Sequence, residues 1–186
     1  MIIVSGEPRS GTSVMMLILR ELWFTIAGEK WLGNPDDNPT GIWEIPKVVR
    51  NGISEDIVKG KCPSICGPIN ADVIKLTTLG LTSSADALID KVIYMVREPS
   101  EVILSQLRLG HGEEQELSDN YNKNIMTFLL WASDKEHEVI VVSYNNLIVN
   151  PAWQISKVAR FLQCFTHEGV ERASKVVDPQ YYRERR

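Results

Sequence analysis

Cysteine is scarce in this chain, three in 186 residues, an odd and thin supply that excludes a scaffold stapled by disulfides. Positive charge is not in excess either. Twenty Lys and Arg against 24 Asp and Glu leave a net charge of −4, which argues against a broad basic face for nucleic acid or an anionic membrane. Long hydrophobic runs are missing: VMMLIL stops at Arg20, far short of the ~20 apolar residues that span a bilayer. The opening MIIVSGEP lacks the basic stretch and apolar core of a secretion signal, and the ending RERR is not a lipidation box. No internal repeat and no low-complexity tract appears. These absences predict a cytoplasmic protein with no nucleic-acid or membrane partner, in which any anion site is local.

What is present reads as one globular domain over residues 1–186, since a domain usually takes ~100 to 200 residues. At 44% hydrophobic and 24% charged residues the composition is ordinary, and a chain this long buries roughly 70% of its unfolded surface. Short β-branched runs stand at Ile2 to Ser5, Ala71 to Leu76, Lys91 to Val96 and Glu138 to Tyr144. Between them, apolar residues recur at helical spacing: Met15, Ile18, Leu19 and Leu22; then Tyr121, Ile125, Phe128, Leu129 and Ala132; then Ile155, Val158, Ala159 and Leu162. Asn150 before Pro151 is a cap signal for the last of these, and Ser100 after Pro99 opens another helix. Strands alternating with amphipathic helices predict an α/β fold of three layers, α/β/α, with a central parallel sheet and right-handed crossovers. Ligands in such sheets bind at the carboxyl ends of the strands. The stretch at about 33–68 is rich in Pro, Gly, Asn and Asp and is predicted to be a substrate-facing insertion or lid.

The first strand runs into GEPRSGTS, Gly6 to Ser13, and then into a helix. A glycine-bearing loop between strand and helix aims consecutive N–H groups and the helix dipole at one point, which suits phosphate oxygens. Against the nucleotide-hydrolase pattern G-x-x-x-x-G-K-[ST], Gly6, Gly11 and Ser13 match, but Thr12 stands where Lys is required. Arg9 must carry the charge instead. The strand KVIYMV also delivers Arg97, where a magnesium-dependent enzyme wants Asp. The residues predict anion neutralisation by side chains, without a metal.

GEPRSGTS resembles the 5′-phosphosulfate loop, P-[KR]-S-G-T-[ST], of sulfotransferases that use 3′-phosphoadenosine 5′-phosphosulfate (PAPS). That family's second signature is a strand ending in Arg with a Ser eight residues on, holding the 3′-phosphate of the donor; VREPSEVILSQ supplies Arg97 and Ser105. SYNNLIVNPAWQISKVARFL is similar to the family's Tyr-x-x-Leu, Pro and Phe-Leu segment, taken as structural. The resemblance covers most of the chain. It implies a P-loop NTPase-like sulfotransferase fold, PAPS as donor, PAP as product, and donor binding by Arg9, Ser10, Gly11, Thr12, Ser13, Arg97 and Ser105. The acceptor, a small molecule, carbohydrate, lipid or peptide, is left open.

Sulfuryl transfer needs an in-line acceptor oxygen, a base, and cations for the leaving phosphate. Arg9 and Lys75, which resembles the family Lys on the strand before the 3′-phosphate Arg, are the candidate cations; Lys75 reads equally as a solvated strand-end lysine. Some cytosolic members place a His two residues after that Lys, but here the position is Thr77. Other branches use a Glu from the loop after the first helix, and NPTGIWEIP offers Glu44 as candidate base; the alternative is a helix-start acid with a favourable dipole. Val14 stands where many members have Trp, leaving Trp43 or Trp23 for the adenine. Arg183, Arg185 and Arg186 match a closing C-terminal loop or a solvated tail. Cys62 and Cys66 lack a second ligand pair for zinc, and His111, His137 and His167 are expected at the surface. Two rival functions remain: a small-molecule kinase on the same layered fold, and a non-catalytic nucleotide-binding module.

Overall fold

A computed structural model describes residues 1–28, 43–45, 48–59, 61 and 68–179; most of the predicted insertion lies outside them. In chain order the elements are β1 (Ile2–Gly6), α1 (Thr12–Glu21), α2 (Glu55–Val58), β2 (Val73–Leu76), α3 (Thr78–Thr82) and β3 (Lys91–Val96). There follow α4 (Pro99–Arg108), α5 (Glu114–Asp134), β4 (Glu138–Ser143), α6 (Tyr144–Val149), α7 (Pro151–Phe161) and α8 (His167–Ser174). The four strands form one parallel sheet in the order β2-β1-β3-β4.

Side chains alternate across the pleat, so each strand supplies both faces. Ile2 and Val4 join Met15, Ile18 and Leu19 of α1 and Ile155 and Val158 of α7 in one core. Ile3 joins Leu81, just after Gly80 in α3, and Phe128 and Trp131 of α5 in the other. Helices therefore cover both faces, as a parallel sheet demands. Because the chain passes from β1 to β2 on one side and then to β3 on the other, the topology switches at the carboxyl end of β1, where a crevice forms.

Local signals act as read, with two differences. The Asn150 side chain accepts the Trp153 amide at 3.2 Å with Pro151 in the first turn of α7. Helix α4 starts at Pro99 itself, with Ser100 already inside its first turn. On α5 the buried line is Leu117, Tyr121, Phe128 and Trp131, while Leu129, one residue and about 100° around the helix from Phe128, is exposed. Among the described residues no helix is long and apolar enough to cross a membrane.

Candidate active site

The loop after β1 begins with a tight turn. The Ser10 amide donates to the Glu7 carbonyl at 3.0 Å, with Pro8 second in the turn and Arg9 third at φ 77°. This is the signature of a turn whose third residue is usually glycine, and holding Arg there costs on the order of 1 kcal/mol. Side chains of later elements hold it: Gln106 Nε2 donates to the Pro8 carbonyl at 3.2 Å and Arg97 Nη1 to the Arg9 carbonyl at 3.1 Å. Gly11 then caps α1 at φ 95°, with no side-chain cap and no acid in the first turn. The positive helix end is left without a covalently attached counter-charge. Ser10 is buried and its hydroxyl has no hydrogen-bond partner among the described residues.

Gly11 is required by both conformation and space. A Cβ there would lie 2.3 Å from Cδ2 of Tyr144, whose ring packs on the loop. Gly11→Ala is expected to cost about 2 kcal/mol, read as a melting temperature lower by about 4 to 8 °C. In a Tyr144→Ala background the steric share of that loss should vanish, leaving the positive-φ share.

On the β2 side of the loop stands Lys75. Val73 faces the α1 core, and Lys75, two residues on, shares that face. It is buried, so the solvated strand-end reading does not hold. Its Nζ lies 3.1 Å from Ser13 Oγ and 2.9 Å from Glu44 Oε1. Burial pulls the Lys75 ammonium below the ordinary lysine range, Glu44 opposes that shift and the nearby charge of Arg9 reinforces it. Glu44 is half-exposed, and the carbonyl of the next residue, Ile45, accepts the Val49 amide at 3.0 Å. Gly28, at φ 82°, leaves room for it: a Cβ there would meet the Glu44 carbonyl carbon at 3.0 Å.

On the β3 side, Arg97 and Ser105 are both buried, not exposed. Arg97 Nε pairs at 2.9 Å with Oε2 of Glu101, in the first turn of α4, and Asn145 Nδ2 donates to the same oxygen at 3.1 Å. The Arg97 guanidinium stands 5.1 Å from the Tyr144 ring centre. Arg9 Nε donates to Ser105 Oγ at 2.9 Å. The sequence placed Arg9 at one end of a donor and Arg97 with Ser105 at the other; the structure brings all three into one cluster, with Lys75, Ser13 and Glu44 forming the opposite pole across the loop.

The fold as a whole is similar to solved structures. The sulfotransferase domain of the Synechococcus PCC 7002 olefin synthase superposes with a TM-score of 0.57 at 17% identity, covering 100% of this chain and 82% of that one. Retinol dehydratase in complex with androsterone and inactive cofactor PAP gives 0.58 at 12% identity, covering 96% of this chain and 64% of that one. The chain has the sulfotransferase fold. The sulfotransferase domain of the curacin biosynthetic pathway gives 0.55 at 16% identity, with 92% and 76% covered. No protein-family model and no curated protein matches the sequence.

Within this fold several predicted residues fall away from the loop. Trp23 lies past the far end of α1, exposed, with its ring 4.4 Å from the Arg172 guanidinium. Trp43 is buried under Arg20 at 5.2 Å. His111 and His167 are exposed, whereas His137, expected at the surface, is half-buried and stacks on Trp131. Cys62, Cys66 and the C-terminal arginines lie outside the described residues. Sequence reasoning missed Glu101, Asn145, the contact of Tyr144 with the loop, and Glu7. Only Glu7 carried a legible signal, as an acid inside a loop whose sequence predicts an anion site.

Proposed function

We propose that the protein is a sulfotransferase that moves a sulfuryl group from PAPS to a hydroxyl or amine acceptor, without a metal. The observation that carries this reading is the meeting, on one loop of a sulfotransferase fold, of the Lys75–Glu44 pair and the Arg9–Ser105–Arg97 cluster. The loop amides and Ser10 to Ser13 take the 5′-phosphosulfate, and Arg97 with Ser105 takes the 3′-phosphate. Binding draws Arg9 from Ser105 toward the 5′ end. Glu44 accepts the proton of the acceptor as its oxygen or nitrogen bonds to sulfur. Lys75 stabilises the charge left on the departing phosphate oxygen as the sulfur–oxygen bond breaks. Retinol dehydratase holding PAP on this fold supports the same donor.

Calorimetry tests the donor. Adenosine 3′,5′-bisphosphate is expected to bind without magnesium, and magnesium-ATP to displace it poorly. Tighter binding of magnesium-ATP would replace this reading with the kinase. Donor binding without turnover on any acceptor class, unaltered by Glu44→Ala, would point to a non-catalytic module.

A further inference from the structure

Glu7 is the one acidic side chain of the loop, and the mechanism above gives it no task. It is buried, with 4% of its surface exposed, and it lies on the side of the sheet opposite α1. Thr78 Oγ1 donates to its Oε1 at 2.7 Å and Asn124 Nδ2 to its Oε2 at 2.9 Å. Thr78 in turn shares a hydrogen bond of 2.8 Å with the Tyr94 hydroxyl. One carboxyl group thus fastens the first residue after β1 to α3, to α5 and, through Thr78, to β3. Its own carbonyl accepts the Ser10 amide that closes the turn bearing Arg9, so a shift of Glu7 shifts that turn.

The groups facing Glu7 are the Thr78 hydroxyl from α3, the Asn124 amide and Tyr121 phenol from α5, and the Tyr94 phenol from β3. Burial holds both phenols above their ordinary range, and the Glu7 charge pushes them further. Among the described residues no cation pairs with Glu7, and burial raises its carboxyl above the ordinary glutamate range against the two hydrogen bonds that lower it. A buried negative charge without a cation, in a loop that receives phosphates, opposes those phosphates. The hydrogen bonds themselves do not need the charge, because a protonated carboxyl or an amide can serve both neighbours once the Thr78 hydroxyl and the Asn124 amide reorient.

We propose that Glu7 is a positioning residue of the donor loop, holding it through two hydrogen bonds, and that its negative charge weakens donor binding, so that donor binding is coupled to proton uptake at Glu7. The inference rests on the donor reading above. The sign follows from linkage: bound phosphates favour the protonated carboxyl, so affinity falls as pH rises through the window above the ordinary glutamate value of 4.5.

The experiment is calorimetric titration of adenosine 3′,5′-bisphosphate into wild type, Glu7→Gln, Glu7→Ala and Asn124→Ala from about pH 5 to about pH 8, with thermal melts alongside. Glu7→Ala should weaken binding by about tenfold or more and Asn124→Ala by about fivefold, as the loop loses the anchors that hold its shape. Glu7→Gln should match wild type at the acid end and bind several-fold tighter at the alkaline end, with the proton uptake of wild type reduced. If Glu7→Ala does not fold, Asn124→Ala and Glu7→Gln carry the same test. Lower melting temperatures with unchanged affinity would make the role merely structural and overturn the proposal. A Glu7→Gln profile parallel to wild type would overturn the proton coupling. Failure of wild type to take the bisphosphate would overturn the donor reading and this inference with it, whereas normal wild-type binding with indifferent variants overturns this inference alone.

Discussion

Lys75→Ala is expected to lower turnover by about 10² to 10³-fold, the range for removing one preorganised group that stabilises transition-state charge. The ammonium is buried, touches Ser13 and Glu44, and lies at the β2 end beside the loop. Donor affinity should change much less, because the charge on the leaving oxygen develops only as the bond breaks. The same residue sets an alkaline limit. Burial depresses its pKa from 10.5, and the neutral amine cannot serve, so activity should fall at a pH below the ordinary lysine range. Lys75→Arg should move that limb upward, since guanidinium stays charged. Stability runs the other way: between the depressed folded value and 10.5 the unfolded chain binds more protons, so stability rises with pH there. Full turnover in a folded Lys75→Ala protein would remove Lys75 from the chemistry.

Arg97→Ala should separate two nucleotides. Loss of charge-assisted hydrogen bonds costs about 2 to 3 kcal/mol for adenosine 3′,5′-bisphosphate, or about 30- to 150-fold in affinity. Adenosine 5′-monophosphate, without the 3′-phosphate, should lose less than about threefold. Arg97 also pairs with buried Glu101 and reaches the Arg9 carbonyl, so its truncation is expected to destabilise the fold by about 3 kcal/mol. Adding Glu101→Gln should recover most of that stability without recovering the affinity, which keeps the two effects apart. Equal loss for both nucleotides would refute the 3′-phosphate assignment.

The four strands, the loop and the helix after it were legible because each depends on neighbours within about ten residues. Short β-branched, nearly continuously apolar runs show in IIVSG and KVIYMV, and the glycines of GEPRSGTS sit where backbone must turn. Even the facing of Lys75 was implicit in its parity with Val73. The Glu44–Lys75 pair was not legible as a contact, nor was the bond from Arg9 to Ser105, whose partners are 96 residues apart. Those contacts depend on β2 and β3 flanking β1 on opposite sides, an order that local periodicity does not encode.

Period, capping and turn chemistry by themselves determined that this chain forms a parallel α/β sheet and that a glycine-bearing loop follows its first strand, because those preferences act through adjacent backbone groups. Which side chains surround that loop was decided only by tertiary structure. Packing both faces of the sheet brings Glu44, Lys75 and Ser13 to one flank and Arg97, Glu101 and Ser105 to the other. It also buries Glu7 beneath the loop, since the burial and pairing of a charge are properties of the assembled core.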